Sequence, residues 1–316
     1  MRKNDKVLVL GARGLVGSGF CRYLEREGYS EVIQSQRTDL DLLDQLSVRS
    51  FFQKVKPDYV LMAAGRVGGI VANSTYPWDF IYDNTVMAAN VLDSCRRFST
   101  KKVLMLGSTC IYPRLAPQPI KEESLLAGPL EATNEWYAVA KIAGIKMGQA
   151  LRRQHGLSVI AAMPTNLYGP NDNYHPINSH VLPALIRRFH EAKLRGDEQV
   201  LIWGTGKPRR EFLHVDDLSR ALELLLRVYD EDSIVNVGCG EDVTISELAH
   251  TVGAAVGFEG RIEYDTSKPD GTPQKKTDGS KLAALGWTPR IGLAEGLADA
   301  YKWFLEHAAD PVPAKP

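Results

Sequence analysis

A short apolar run that breaks into glycines and then into a helical pattern limits what this chain can fold into more than any other feature. Lys6–Leu10 (KVLVL) reads as a buried strand, and Gly11-Ala12-Arg13-Gly14-Leu15-Val16-Gly17 as a GxxGxxG turn. Leu15–Glu27 reads as the helix that the turn opens. Glycines permit a tight turn and a close backbone approach to a pyrophosphate, and the first turn of the helix presents free N–H groups at its positive dipole end. Glycines in a plain strand-to-helix packing turn would look alike. The strand before and the helix after are the context that a phosphate cradle requires, and they favour the cradle.

The same alternation continues. Glu31–Ser35, Tyr59–Met62, Lys102–Leu106 and Ser158–Met163 read as strands. Gln45–Lys54, the stretch from Pro77 to about Phe98, and Glu135–His155 read as helices. Strands separated by helices imply a parallel sheet covered on both faces, a Rossmann-like, doubly wound α/β fold. After Pro164 the texture changes. Tyr168–His180 (YGPNDNYHPINSH) reads as an irregular functional loop, Val181–Leu194 and Val215–Tyr229 as helices, and Gln199–Trp203 as a strand. The expected division is a cofactor-binding domain over 1–167, completed by about 214–238, and a smaller α/β substrate domain over 168–213 and 239–316. The tail Ala309–Pro316 is expected to fray.

Charge narrows the partners. Lys plus Arg and Asp plus Glu number 38 each, so nothing draws the chain to nucleic acid or to an anionic membrane. No apolar stretch approaches a bilayer span, and the start shows no secretory pattern. Cys21, Cys95, Cys110 and Cys239 are scattered without a CxxC pair, which argues against a disulfide framework or a structural metal. The default compartment is the cytoplasm, and no metal is expected.

Which dinucleotide binds depends on the end of the second strand. An acid about 20 residues past the glycines would bond a ribose 2′-hydroxyl. Arg37 stands there instead, with no acid before Asp39, and Arg13 adds a cation within the turn. Two guanidiniums suit a 2′-phosphate, so NADP is expected. Asp41 could hold the adenine amino group, whereas Asp44 reads as a helix cap.

Tyr137-Ala138-Val139-Ala140-Lys141 places a phenol and an ammonium four apart on one helix face. A phenol titrates near ~10, and a neighbouring ammonium favours its ionised form. Ser108, just past the fourth strand, could hold a substrate carbonyl while Tyr137 protonates it. A solvated helix face would show the same spacing. The glycine turn upstream favours catalysis.

These features together resemble the extended short-chain dehydrogenase/reductase family. Longer strings narrow the likeness: Val67–Asn73 (VGGIVAN), Gly107–Pro113 (GSTCIYP), Pro164–Pro170 (PTNLYGP), His175–His180 (HPINSH), Arg210–Asp217 (REFLHVDD) and Lys268–Pro273 (KPDGTP). They are similar to the GDP-L-fucose synthase branch, which epimerises and reduces GDP-4-keto-6-deoxy-D-mannose, and the likeness spans roughly Lys6 to Glu306. The resemblance implies an NADPH-dependent enzyme with Cys110 as base and His180 as acid on opposite sides of the sugar ring. It places Leu106, Gly107, Ser108 and Thr109, with Pro164, Thr165, Asn166 and Leu167, along the nicotinamide, and His180 beside the cofactor. It assigns Arg188, Trp203, Arg210 and Asp278 to the GDP-sugar, and it implies a homodimer. Read from the residues alone, Cys110 lies two positions past Ser108, so an extended backbone would point both side chains the same way. His175 and His214 read as structural, and TDGSKL around Asp278 also reads as a helix start. Arg187 and Arg209 sit beside Arg188 and Arg210, and only the family pattern chooses between neighbours.

Thr109, Arg66, Gly65 and Trp136 depart from the branch's pattern. They leave room for a sibling GDP-4-keto-deoxysugar reductase with one or no epimerisation. Dehydratases and 4-epimerases of the same fold hold NAD, which Arg37 disfavours. A non-catalytic NADP-sensing module would commonly lose the Tyr/Lys pair that is present here.

Overall fold

Leu8 and Leu10 point to one face of strand β1 (Val7–Leu10), Val7 and Val9 point to the other, and all four are fully buried. A strand apolar on both faces must lie inside a sheet covered on both sides. The computed structural model describes residues 1–307, Ile177 and Pro269 excepted. The expected fraying of Ala309–Pro316 lies outside the described residues.

From β1 the chain alternates through α1 (Leu15–Arg26), β2 (Val32–Gln34), α2 (Gln45–Val55) and β3 (Tyr59–Met62). Next come α3 (Ile70–Thr75), α4 (Pro77–Arg97), β4 (Lys102–Leu106), α5 (Glu135–His155) and β5 (Ser158–Pro164). Then follow β6 (Asn166–Tyr168), α6 (Val181–Arg195), β7 (Gln199–Trp203), β8 (Arg209–His214), α7 (Val215–Val228) and β9 (Val235–Val237). The chain ends through β10 (Asp242–Thr244), α8 (Ile245–Val256), β11 (Arg261–Asp265), β12 (Gln274–Lys275), α9 (Ser280–Ala284) and α10 (Leu293–His307).

Six strands form one parallel sheet in the order β2-β1-β3-β4-β5-β9. The strand order reverses direction between β1 and β3, the crevice where doubly wound sheets bind ligands. On one face α1 and α7 bury Phe20, Leu24, Leu218, Leu222 and Leu225 against Val7, Val9, Leu104 and Ile160. On the other, α2, α4 and α5 bury Phe52, Val91, Leu92 and Ile145 against Leu8, Leu10, Val103 and Met105. Each fully buried leucine contributes roughly 1.5–3 kcal/mol, so these two layers carry much of the stability. Helix ends follow local chemistry. Pro77 opens α4, Gly156 in the left-handed region closes α5, and a Thr244/Glu247 capping box starts α8.

The remaining strands are short. β8 pairs with β6 and β12 in parallel and with β10 antiparallel, while β11 pairs with β7. They pack with α6, α8 and α10 around Phe189, Leu248, Val252, Leu297 and Phe304. One fully buried carboxylate joins three of these segments. Glu211 of β8 accepts the Gly240 N–H at 2.7 Å on one oxygen, and the Thr277 N–H and hydroxyl at 2.9 and 2.7 Å on the other. Among the described residues no helix is long and apolar enough to cross a membrane.

Candidate active site

The glycine turn sits at the reversal point of the sheet. Gly11 adopts φ +82°, and a Cβ there would come within 2.7 Å of the Ala64 nitrogen at the end of β3. A Cβ on Gly17 would lie 2.1 Å from the Gly11 carbonyl oxygen, so neither position admits a side chain. Gly14 is the N-cap of α1 and supplies no capping side chain, and the first turn holds no acid. The N–H groups there are left for an anion. The Arg13 guanidinium reaches the Gln36 side-chain oxygen, next to exposed Arg37, so both cations stand at the ends of β1 and β2. Asp44 caps α2 through the Leu46 N–H at 2.9 Å, and Asp41 accepts the Leu43 N–H at 3.0 Å.

At the end of β4 the chain enters a 3-10 turn over Thr109–Ile111 rather than an extended segment. That corrects the reason given above for grouping Ser108 and Cys110. The Ser108 hydroxyl accepts the Cys110 N–H at 3.2 Å, and this cap, not strand alternation, sets the sulfur. Tyr137 and Lys141 project from α5 toward the same place. Lys141 Nζ donates to the Leu106 carbonyl at 3.0 Å and lies 5.6 Å from the Tyr137 ring centre. Burial pulls the Lys141 ammonium down to about 8. Tyr137 stands well above the ordinary phenol value, raised first by burial and then by Cys110, with the Ser108 hydroxyl pulling the other way. The lowering expected from the ammonium is not found, and desolvation of the phenolate dominates.

Cys110 is half-buried. The Asn134 amide Nδ2 lies 3.2 Å from its sulfur. His180 is the N-cap residue of α6 and makes no side-chain cap. Its ring is exposed, yet the surrounding protein lowers its pKa from the ordinary histidine value by desolvation. No hydrogen bond joins Cys110 and His180 among the described residues. They come from different walls, the sulfur from the β4 end and the imidazole from the loop that leads into α6. Asn171 ties that loop to the glycine turn, donating to the Arg13 carbonyl at 2.7 Å and the Ser18 hydroxyl at 3.1 Å. Gly69 faces it as well, since a Cβ there would lie 3.2 Å from the Ser179 carbonyl oxygen. His175 Nδ1 accepts the Asn178 N–H at 3.2 Å, and buried His214 accepts the Asp216 N–H at 3.3 Å, so both have structural work. At the β5 end, Thr165 and Asn166 donate to the Glu211 carbonyl oxygen at 3.1 and 2.8 Å.

The paired arginines separate by their partners. Arg187 is 2.7 Å from Glu191, and Arg209 is 3.2 Å from Asp242. Arg188 and Arg210 bond only carbonyls among the described residues: Leu201 at 2.8 Å for the first, Thr272 at 2.6 Å and Arg209 at 2.8 Å for the second. Burial lowers both from the usual arginine value. A guanidinium held out of water without a carboxylate is a site for an external anion, and its fork suits a phosphate. Trp203, 61% exposed, ends β7 with the Lys268 ammonium 5.7 Å from its ring centre. Asp278 differs. Its carboxylate accepts the Ser280 N–H at 2.9 Å just ahead of α9, the local turn its sequence also suggested, and among the described residues no hydrogen bond or ion pair links it to Arg188, Trp203 or Arg210.

Asn134 and Glu211 escaped the sequence reading. An asparagine ahead of a helix reads as a cap, and a glutamate between Arg210 and Phe212 gives no local sign of burial.

Residues 7–238 match the model of the NAD dependent epimerase/dehydratase family. The chain is 56% identical to GDP-L-fucose synthase 1 of Arabidopsis thaliana, over 98% of this chain and 95% of that protein. It is 50% identical to the GDP-L-fucose synthase of Escherichia coli (strain K12), over 96% and 97%. The GDP-mannoheptose C4 reductase from Campylobacter jejuni with NADP bound superposes with a TM-score of 0.90 at 35% identity, over 96% of this chain and 99% of that one.

Proposed function

The chain belongs to the NAD dependent epimerase/dehydratase family, and from that membership we propose that it is an NADPH-dependent enzyme converting GDP-4-keto-6-deoxy-D-mannose into GDP-L-fucose. Full-length identities of 50 and 56% to GDP-L-fucose synthases support this reading over that of a sibling reductase, the heptose enzyme standing at 35%. One observation carries it. A half-buried thiol, with the Asn134 amide 3.2 Å from its sulfur and its own N–H on the Ser108 hydroxyl, stands at the end of β4, the strand end to which Lys141 of the Tyr137 helix donates. A plain carbonyl reductase needs the phenol but has no use for the thiol.

The residues fit the cofactor. The Gly11–Gly17 turn leaves room for a pyrophosphate against the α1 N–H groups, and Arg13 and Arg37 suit a 2′-phosphate. Bound nicotinamide supplies the hydride for the sugar C4. In the epimerisation, Cys110 as thiolate removes the hydrogen from a carbon beside the ketone. The electron pair passes into an enolate whose oxygen the Ser108 and Tyr137 hydroxyls hold. His180 as imidazolium then returns a proton to the opposite face. The carbon inverts because the broken and the new C–H bonds lie on opposite faces. Thiol and imidazole re-equilibrate with water before the second carbon reacts. For the reduction, Tyr137 gives its proton to the C4 oxygen while Lys141 compensates the developing phenolate. Arg188 and Arg210 take the diphosphate, with Trp203 beside them. Asp278, whose carboxylate is engaged by Ser280, serves the local turn.

In this reading residues 1–167 with 214–238 hold the cofactor, and 168–213 with 239–316 hold the nucleotide sugar. The exposed, stacked pair Trp78 and Tyr82 on α4, with Trp136 and Val139 on α5, is the face through which two copies would pair. Reaction in D2O with GDP-4-keto-6-deoxymannose and NADPH, followed by NMR, tests the function. GDP-L-fucose carrying deuterium at C3 and C5 is expected. Label at one carbon or none would return the assignment to a sibling reductase, and cofactor binding without turnover to a sensing module.

A further inference from the structure

Asn134 stands at the N-cap of α5, where an asparagine side chain ordinarily takes an N–H of the first helical turn. Here it makes no such bond. Its Nδ2 lies 3.2 Å from Cys110 Sγ, and its buried Oδ1 has no partner among the described residues. A 3-10 turn over Ala132–Asn134, capped by the Glu131 side chain, leads into α5, so Asn134 is not needed as a cap, and its orphaned carbonyl is a cost to the fold. A residue that bears that cost while touching the sulfur is placed there for the sulfur.

We propose that Asn134 is a positioning residue for the thiol base, its amide N–H holding Cys110 Sγ as a thiolate and in one rotamer against the sugar carbon. The inference rests on Cys110 being the base in the reading above. A thiolate is a strong acceptor and a thiol a weak donor, so an amide donor at hydrogen-bond distance favours the anion. The other groups that face the sulfur are the Tyr137 phenol of α5, neutral near pH 7, and the Arg210 guanidinium of β8, which attracts the anion without a hydrogen bond to it. An amide is also no acid. Unlike an imidazolium in contact, it cannot return the proton from the sulfur's own face, and epimerisation requires the proton to come back from the other side.

Asn134→Ser and Asn134→Asp test this in the full-length protein. Both residues cap helices well; serine is too short to reach the sulfur, and aspartate replaces the donor with an anionic acceptor. Iodoacetamide labelling of the tryptic peptide Val103–Arg114, read by mass spectrometry near neutral pH, reports the thiolate without needing turnover. Deuterium wash-in reports epimerisation, and NADPH oxidation with an already epimerised ketosugar reports reduction alone. Labelling and wash-in should fall by about tenfold in the serine variant and further in the aspartate variant, with labelling restored at higher pH. Reduction should change by less than about twofold, and melting temperature should hold, since one orphaned buried carbonyl is removed. Unchanged labelling and wash-in would overturn the proposal. So would a joint fall in wash-in, reduction and melting temperature, which marks a merely structural residue. A wild-type enzyme that washes in no deuterium would sink the epimerase reading instead, while the labelling comparison would still decide Asn134.

Discussion

The cofactor side and the sugar side of this site are built in different ways. The cofactor side is one continuous parallel sheet whose decisive residues, Gly11 to Gly17, lie within a single turn of chain. The sugar side is put together from short strands and loops. Arg188 is held by the Leu201 carbonyl, Arg210 by Thr272, and Cys110 by Asn134. A site made within one turn survives as a motif, whereas a site made across distant segments is visible only once the chain is folded. In the proposed reading the first fixes where a cofactor lies, and the second fixes which substrate reacts.

The sharpest way to break the contrast is to separate the two chemistries. Tyr137→Phe should slow NADPH oxidation by about a thousandfold while deuterium wash-in stays measurable, and Cys110→Ser should do the reverse with a pre-epimerised ketosugar. Equal loss of both steps in both variants would end the division of labour. Next in size are the arginines. Arg210→Ala should raise the KM for the GDP-sugar by about a hundredfold, because a charge-assisted phosphate contact is lost. Arg209→Ala breaks partly exposed ion pairs with Asp242 and Glu247 and a bond to the Asp242 carbonyl, and should move KM by less than about threefold. On the cofactor side, Arg37→Ser should raise the KM for NADPH by about tenfold and leave that for NADH unchanged, as one of two guanidiniums is removed.

The smallest expected effect is a pH dependence. Burial depresses Lys141 from 10.5 to about 8, so the reduction rate of the wild type should reach half its plateau near pH 8 as the ammonium is lost. Between about 8 and 10.5 the folded chain carries fewer protons on this group than the unfolded chain does. Its contribution to stability therefore rises with pH across that window, and the desolvation penalty is fully present below it. Lys141→Met should remove that rise from a series of melting curves.

Much of the fold was legible because strand, turn and helix signals are local. Val7–Leu10, Lys102–Leu106 and Gln199–Trp203 all lie within runs that read as strands, and Glu135–His155 carries its own start and its Gly156 stop. The strands β6, β10 and β12 were not legible, because two or three residues cannot show a period and their pairing with β8 is a matter of distant partners. The short helix α3 was hidden in the glycines of VGGIVAN. In the proposed site, Ser108, Tyr137 and Lys141 are candidates from spacing, and Arg37 from its distance past the turn. The choice of Arg188 over Arg187, and of Arg210 over Arg209, became a physical one only when Glu191 and Asp242 were seen to neutralise their neighbours. Asn134 was concealed by a good rule, since an asparagine before a helix is nearly always its cap.

The stretch that defines the family ends at residue 238, but the donors that satisfy Glu211 lie at Gly240 and Thr277. Leu282 and Trp287 also pack into the layer beneath α1 and α7. A fragment cut at 238 would strand a dry carboxylate inside its own interior and should collect in inclusion bodies. Co-expression with 239–316 should return it to solution, which would make the recurring module and the folding unit two different objects.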